Sequence, residues 1–357
     1  MKVYLKFISI IFFKSLLYVF LIMGSLVLLL NLLSELEFFK DKAVGYGYPL
    51  FLSLLNSPSQ IFEMFPFILL ITIQLFFIKL FENKEIDIFK YSGLKNSKIL
   101  LILSILSFST GVLIISLFYN LSSSLKTLYI ESKSTYTSDE KYLAVITKNG
   151  LWIKDKVDDK IIITNSSYIK NEMLINIFIT EFDDDFNVIR NIQSNKIDIS
   201  NKNWIIFDAK IYEKNNYIVK NELRLKTNFD LQRIKTLYSN LSSLNLIELY
   251  ELRKNYKKLN YSITDIDLHL IKILLFPIFL FLISLFSSLI MLNIKQINGT
   301  TFKISIGLFF SVIIYYLNNF SYVLGSTERI PIIIATISPL LILMTINALM
   351  LNNVNEK

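Results

Sequence analysis

The sequence contains no cysteine and only one histidine, His269, among its 357 residues. Disulfide bonds, thiolate metal sites and cysteine nucleophiles are therefore excluded. A single imidazole also argues against a histidine-ligated metal centre and against a serine-histidine-aspartate triad. The G-x-x-x-x-G-K-[ST] phosphate loop is absent as well, so the chain does not cradle nucleotide phosphates in that way.

Charge is scarce too, at 18% of residues, where soluble domains have about 25%. Hydrophobic residues make up 53% of the chain, and phenylalanine alone occurs 29 times. They form six apolar runs, each close to the roughly 20 residues that a helix needs to cross a bilayer. The predicted spans are Ser15–Leu33, Ile61–Leu80, Ile99–Leu121, Ile273–Leu292, Ile304–Leu324 and Ile330–Leu351. This pattern predicts an integral membrane protein.

Most of the charge that the sequence does have lies between the third and fourth spans, in residues 122–267. This segment holds 22 lysines and arginines and 20 aspartates and glutamates. Its apolar residues alternate with polar ones, which predicts short strands in a sandwich or open barrel. The residues expected to share a strand face are Ile175, Ile177 and Ile179, and, in a second strand, Ile205, Phe207, Ala209 and Ile211. After the strands, Asn245 and Glu248 predict the start of a short amphipathic helix.

The distribution of lysine predicts the orientation of the chain. With the N-terminus inside, nine lysines fall in the inner segments and three basic residues fall in the short outer loops. The inner set is Lys2, Lys6, Lys84, Lys90, Lys95, Lys98, Lys295, Lys303 and Lys357, and the outer set is Lys40, Lys42 and Arg329. Because cytoplasmic loops are enriched in basic residues, we expect both termini inside and the β domain outside the cytoplasm.

The inner loop between the second and third spans has a helical pattern. It contains, in order, Glu85, Ile86, Phe89, Lys90 and Gly93. The spacing of three and four residues predicts a two-turn helix at about residues 84–93, and glycine is typical just after a helix end. Two interpretations are open. The usual length of such loops favours a simple interfacial turn, and the alternative is a coupling helix that transmits force from a cytosolic motor.

Four motifs occur in an order that is similar to one known family. The residues that carry them are Pro58 and Pro66, then Glu85 to Gly93, then Gly150-Leu151-Trp152-Ile153-Lys154-Asp155, and finally Pro331 and Pro339. The first two fit the pattern P-x7-P followed by E-[LI]-x-x-[LF]-[RK]-x-x-G, with Lys90 where the motif has arginine. Together they resemble the LptF/LptG (YjgP/YjgQ) permeases of lipopolysaccharide export over essentially the whole chain. The G-[LV]-W-x-[RK]-D strand favours the LptG branch over LptF.

The resemblance implies an α-helical membrane fold with an inserted extracytoplasmic all-β domain. Three helices and the coupling helix fall in residues 1–121, a periplasmic β-jellyroll and a short helix in 122–267, and three more helices in 268–357. The chain is then a non-catalytic permease subunit, without metal or cofactor, that extracts lipopolysaccharide from the bacterial inner membrane and passes it toward the outer membrane. Its transport is ATP-driven, and the ATPase is a separate polypeptide.

The resemblance also implies partners and site residues. The partners are a second six-helix permease of LptF type, a cytosolic ATPase dimer of LptB type, a single-span periplasmic bridge protein of LptC type and lipopolysaccharide, with no nucleic acid. The residues in coupling positions are Glu85, Ile86, Phe89, Lys90 and Gly93. The candidates for lipid binding at the outer rim are Lys40, Lys42, Glu63 and Arg329. Asn31, Glu35 and Glu37 stand where LptG members often carry basic residues.

Some alternatives stay open at this point. The three basic rim residues are either ordinary anchoring charges or contacts to lipid phosphates. Glu63 either pairs with a neighbour or faces a wet cavity, because an unpaired carboxylate inside the bilayer is expensive. The whole chain could also be the sister LptF-type subunit, or a membrane scaffold or sensor whose β domain binds a ligand. A membrane enzyme is a further class, but no convergent acid, base or metal set supports it.

Overall fold

The computed structural model describes residues 3–42, 44–45, 47–134, 136, 151–157, 160–170, 173–183, 185–213, 216–231, 234, 240–258, 262–294 and 300–351. The chain divides into two compact units. One comprises residues 1–126 and 264–357, and the other comprises residues 127–263. The boundaries expected from the sequence are residues 121 and 267.

The helices are α1 (Val3–Phe38), α2 (Gly47–Glu82), α3 (Glu85–Tyr91), α4 (Asn96–Leu113), α5 (Asn120–Ser134), α6 (Leu246–Lys258), α7 (Thr264–Asn293), α8 (Thr300–Ser326) and α9 (Ile332–Leu351). A π-helical turn, Ile114–Tyr119, joins α4 to α5. Within the described residues, six segments are long and apolar enough to cross a membrane: α1, α2, α4 with α5, α7, α8 and α9. The six predicted spans are therefore confirmed.

Two of these helices are much longer than the spans that hydropathy predicts. Each of α1 and α2 has 36 residues, or about 54 Å at 1.5 Å per residue, against a hydrocarbon core of about 30 Å. Helical backbone satisfies its own hydrogen bonds in lipid and in water alike. The helix therefore continues past the point at which the apolar sequence ends.

Small and polar residues hold the membrane helices together. A Cβ at Gly111 of α4 would lie 2.9 Å from the Cα of Pro277 on α7, so glycine permits this close approach. The Ser287 hydroxyl donates to the carbonyl of Leu70 on α2 at 3.2 Å. Such contacts are typical of membrane bundles, in which burial of apolar surface alone does not drive helices together.

The second unit contains a six-stranded antiparallel sheet. Its strands are β1 (Leu151–Val157), β2 (Lys160–Lys170), β3 (Met173–Phe182), β4 (Val188–Asp198), β5 (Asn203–Glu213) and β6 (Asn216–Lys226). They follow meander order, because each strand pairs with its neighbour in the chain. The inserted β domain is thus confirmed, and the six described strands make none of the Greek-key crossings that two-sheet jelly rolls contain.

The predicted strand face of β5 is wrong in its first half. Asp208 has a φ of 48°, a left-handed conformation that interrupts the alternation of side chains. Beyond it, Ala209 and Ile211 are buried as expected. Before it, the buried residues are Trp204 and Ile206, while Ile205 and Phe207 lie half-buried on the other face.

A similar irregularity occurs in β3. Asn176 has a φ of 52°, and the buried residues change from Leu174 before it to Ile177 and Ile179 after it. Ile175, which was expected to share the face of Ile177, is only half-buried. Strict alternation therefore fails at the two residues with positive φ, since asparagine and aspartate adopt that conformation more readily than other side chains.

The predicted start of the short helix α6 is confirmed in detail. The side-chain oxygen of Asn245 accepts hydrogen bonds from the backbone N–H groups of Ile247 and Glu248, both at 3.0 Å. In return, the Glu248 carboxylate accepts the N–H of Asn245 at 2.8 Å. These reciprocal bonds form the capping box that the sequence indicates, and Leu249 and Leu252 of the same helix are buried.

A buried carboxylate ties β1 to the segment that follows β6. Asp155 accepts hydrogen bonds from the Thr227 hydroxyl at 2.6 Å and from the backbone and side-chain amides of Asn228, both at 2.8 Å. One residue further along, the Phe229 carbonyl accepts the indole N–H of buried Trp204 at 2.9 Å. The two edges of the sheet are thereby connected through a segment that is not itself a strand.

We expect Asp155→Asn to lower the free energy of unfolding of the β domain by about 2–3 kcal/mol. The substitution replaces one acceptor oxygen with an NH2 donor, in a site where three donors already point at the side chain. The measurement is urea unfolding of the full chain in detergent, followed by tryptophan fluorescence, because both tryptophans, Trp152 and Trp204, lie in the β domain. Asp208→Asn makes the same change at an exposed position and is the control. Equal unfolding midpoints for the two variants would contradict a structural role of Asp155.

Candidate coupling and lipid sites

Helix α3 lies between the second and third membrane spans and has the predicted two turns. It begins after Lys84, which has a φ of 54°. At its other end, Gly93 has a φ of 78°, and its N–H donates to the carbonyl of Lys90 at 3.0 Å. The N–H of Leu94 donates to the carbonyl of Phe89 at 2.9 Å. This pair of bonds is a Schellman motif, which favours glycine because of the left-handed residue.

The two faces of α3 have different surroundings. Ile86 is 1% exposed and belongs to the core of the bundle, and the Phe89 ring packs edge-on against Phe7 of α1 at 5.9 Å between centroids. On the other face, Ile88 is 61% exposed and Tyr91 is 92% exposed. Helix α3 is therefore fixed to the bundle by one apolar face and presents a second apolar face outward.

Glu85 occupies the first position of α3 and is half-buried. One of its carboxylate oxygens accepts the side-chain amide of Asn83 at 3.3 Å. The other oxygen is buried without a hydrogen-bond partner among the described residues. The positive end of the helix dipole favours a carboxylate at this position. The buried oxygen nevertheless accepts no hydrogen bond among the described residues.

The other coupling candidates differ in what they can contact. Lys90 is exposed and Gly93 is exposed, whereas Ile86 is enclosed by the bundle. Ile86 therefore positions the helix, and a partner would meet Lys90, Gly93, Ile88 and Tyr91. The sequence reasoning did not select Ile88 and Tyr91. Both are large apolar residues outside the predicted buried face, and that feature of the sequence could have identified them.

The basic rim candidates lie at the opposite end of the membrane helices from α3. Lys40 and Arg329 are exposed. The ammonium group of Lys42 lies 3.6 Å from the centre of the Phe38 ring, close enough for a cation–π interaction. Lys42 therefore has a local partner in α1, and Lys40 and Arg329 present more of their charge to the surface.

Glu63 lies among cations from two other helices. It interacts electrostatically with Lys126 of α5 and with Lys272 of α7, and both Glu63 and Lys272 keep exposed side chains. The Lys272 ammonium group lies 5.3 Å from the ring centre of Tyr322 on α8. Glu63 is thus both close to opposite charges and open to its surroundings.

His269 joins the same group of polar residues. Its Nε2 atom lies 3.3 Å from the hydroxyl of buried Tyr119, the last residue of the π-helical turn. Asp265, His269 and Lys272 are four and three residues apart, so they share one face of α7. That spacing could have indicated from the sequence that these three residues lie together. What the sequence alone did not reveal is that α2 and α5 bring Glu63 and Lys126 to them.

Two of the three residues at which α1 departs from the expected pattern, Asn31 and Glu35, serve helix packing, whereas Glu37 is exposed. The side-chain amide N–H of Asn31 donates to the hydroxyl of Ser57 on α2 at 3.0 Å, and the side-chain amide of Asn56 donates to the side-chain Oδ1 of Asn31 at 3.3 Å. Glu35 is 2% exposed, one turn further along. Asn31 and Glu35 therefore face α2 inside the chain.

Acidic residues do not gather into a metal site in the part of the chain that the structure describes. The turn between β3 and β4 shows where one such carboxylate is used. Asp183 accepts hydrogen bonds from the backbone and side-chain amides of Asn187, at 2.7 and 3.1 Å. The side-chain bond from Asn187 is the main cause of a lowered pKa of this exposed carboxyl.

Comparison with known proteins agrees with this arrangement. Residues 7–353 match the model of the family described as lipopolysaccharide export system permease LptF/LptG. A search of curated proteins found no match. The family match spans the six membrane helices, α3 and the inserted β domain together. The chain therefore belongs to the LptF/LptG family, and it is a lipopolysaccharide export permease of the inner membrane.

Proposed function

We propose that this chain is the LptG-like permease subunit of an ATP-driven lipopolysaccharide transporter. A cytosolic ATPase dimer on separate chains docks on α3, and a second, LptF-like permease completes the membrane part. Lipopolysaccharide leaves the inner membrane between the two permeases and passes toward the outer membrane. A single-span bridge protein of LptC type receives it in the periplasm. The permease itself performs no covalent chemistry.

The observation that carries this proposal is the two-sided packing of α3. Its buried face fixes it to α1 and to the core, so a force applied to the helix reaches the membrane spans. Its outer face exposes Ile88 and Tyr91, and exposed apolar residues flanked by charge are typical of interaction sites. The Glu85 carboxylate, half-buried at the start of α3, adds a negative charge for a basic group of the partner.

The proposed orientation rests on charge. In the sequence, the short segments on the α3 side of the predicted spans contain nine lysines, against three basic residues in the short loops on the other side. Positive charge in short loops favours the cytoplasmic side. Helix α3 would then be accessible to an ATPase in the cytosol, and the β domain, inserted from the opposite end, would be periplasmic.

The assignment to the LptG branch rests on the segment from Gly150 to Asp155. Asp155 makes the hydrogen bonds that close the β domain, whereas Trp152 on the same strand is 53% exposed. The aspartate of this motif therefore has a structural use within the chain. The exposed tryptophan is the part of the motif that is available for contact with lipid or with another subunit.

The first prediction concerns Glu85. Glu85→Lys is expected to block binding of the ATPase or to uncouple hydrolysis from transport, because it places a cation where we propose a basic partner group. Glu85→Gln should be milder. If the carboxylate only stabilised the helix start, its loss would cost about 0.5–2 kcal/mol, which a packed membrane protein tolerates.

The measurement for Glu85 is affinity pulldown of the ATPase, followed by lipid release from proteoliposomes. Glu82→Lys makes the same charge change at the exposed end of α2 and serves as the control. All variants should still insert and pair with the second permease. Normal pulldown and release by Glu85→Lys would remove the coupling role and leave this residue a helix-stabilising group.

A second prediction concerns the exposed aromatic residue of α3. Truncation of an aromatic anchor at an interface commonly costs about 2 kcal/mol or more, so Tyr91→Ser is expected to weaken ATPase binding about thirtyfold. Binding is measured with the purified permease pair in nanodiscs. Tyr217→Ser removes a similarly exposed tyrosine of β6 and should leave binding unchanged. Unaltered affinity of the Tyr91→Ser variant would show that the ATPase does not use this face.

A third prediction concerns the rim charges Lys40, Lys42 and Arg329 as a set. Each exposed charge contact contributes only about 0.2–1 kcal/mol, but several around one phosphate cluster can add. The triple change to glutamate should reduce lipopolysaccharide-stimulated ATPase activity severalfold in the reconstituted complex without loss of assembly. The control is the triple change of Lys202, Lys210 and Lys220, which are exposed in the β domain. Full stimulation of the rim variant would assign these residues to anchoring.

A further inference from the structure

A slot runs between α7, α8 and α9, and its volume is about 320 Å³. The rings of Phe286 and Phe310 form one wall, with centroids 5.8 Å apart. The side chains of Leu343 and Met350 from α9 also line it. These residues lie toward the C-terminal ends of α7 and α9 and the N-terminal half of α8. Since the spans alternate in direction, that is the half of the bundle nearer α3.

The chemistry of the slot suits hydrocarbon and not water. Its lining is apolar except for Asn293, whose side-chain amide donates to the carbonyl of Leu289 in its own helix at 2.9 Å. A buried water needs two to four polar partners, which this lining does not supply. An empty slot would forfeit the dispersion contacts of its walls. Inside a bilayer, the material at hand to fill it is an acyl chain.

The dimensions of the slot indicate a single chain. The lining residues run from Ile306 to Leu317 on α8 and from Pro339 to Met350 on α9, or about 16 Å along each helix. Spread over that length, the volume corresponds to a cross-section of about 20 Å², whereas a helix about 10–12 Å across has a cross-section of roughly 80–110 Å². An extended hydrocarbon chain therefore fits, and a helix of another subunit does not.

The slot is open toward the bilayer. Ile313, Ile342 and Ile346 line it, and the same three side chains are 44%, 41% and 36% exposed. A lipid can therefore enter sideways between α8 and α9 without separation of the helices. Lys303 lies one turn before the slot on α8, with its ammonium group 4.8 Å from the ring centre of Phe81, and its charge suits a phosphate group.

We propose that this slot binds one acyl chain of a phospholipid from the membrane leaflet at the α3 end. This lipid is not the transported substrate, which in the proposed function leaves the membrane between the two permeases. It fills the space between α8 and its two neighbours and thereby holds α8 in place. The proposal does not depend on the transport function, since it follows from the shape and chemistry of the slot.

The first test uses tryptophan fluorescence. Both natural tryptophans, Trp152 and Trp204, lie on strands β1 and β5, so a tryptophan in the slot is a distinct reporter. Phe310→Trp places it there, and Phe309→Trp places it on the same helix at a position that is 64% exposed. The full chain is reconstituted with phosphatidylethanolamine that carries bromine on its acyl chains. Both variants should be quenched.

A lipid bound in the slot should exchange more slowly than a lipid on the protein surface. After transfer to detergent without bromine, Phe309→Trp should recover its fluorescence at once, while Phe310→Trp should stay quenched. Absence of quenching at Phe310→Trp, or recovery together with the control, would overturn the proposal. So would quenching that disappears when the chain is purified with its partner permease, because the slot would then be covered by protein.

The second test fills the slot. Leu343→Phe adds bulk at a position that is 3% exposed, and Leu349→Phe makes the same change on the same helix at a position that is 76% exposed. After extensive washing in detergent, native mass spectra should show one retained phospholipid fewer for Leu343→Phe than for the natural chain and the control. Equal retention by all three proteins would contradict the proposal.

Discussion

The bilayer offers no water to hydrogen-bond with, and the bundle is organised by this constraint. Its two central helices, α2 and α7, bury 61% and 67% of their apolar stretches within the chain itself. Two polar side chains inside the bundle donate to carbonyls on neighbouring helices, Ser287 to Leu70 at 3.2 Å and Asn347 to Leu282 at 3.0 Å. The peripheral helices, and the sites at both ends of the bundle, are positioned by attachment to this pair.

The fold could be predicted where one physical quantity dominates. Apolar length alone determines the number of spans, and the capping box at Asn245 specifies a helix start by local hydrogen bonds. The strand faces could not be predicted in full, because Asn176 and Asp208 adopt positive φ and reverse the alternation. Whether an asparagine or aspartate adopts positive φ in a strand depends on how the neighbouring strands pair with it. The sequence of one strand alone does not specify that pairing.

The candidate sites show the same division. The spacing from Glu85 to Gly93 was sufficient to predict α3, because both of its ends are set by local backbone geometry. Its apolar members, Ile86 and Phe89, pack inward, and the spacing did not mark the exposed apolar residues Ile88 and Tyr91. The group around Glu63 depends on contacts between α2, α5 and α7. Those contacts join residues that are far apart in the chain, and no local pattern encodes them.

Among the described spans, α8 is the least enclosed, with 12% of its apolar stretch buried. On one side, the amide of Gln74 from α2 packs against Gly307, where a Cβ would have no room. That amide is buried without a hydrogen-bond partner among the described residues, so the contact costs desolvation without a compensating bond. On another side lies the slot. A helix that is so little buried within its own chain leaves much of its apolar surface to be covered by other material in the membrane, and the proposed acyl chain would cover part of it.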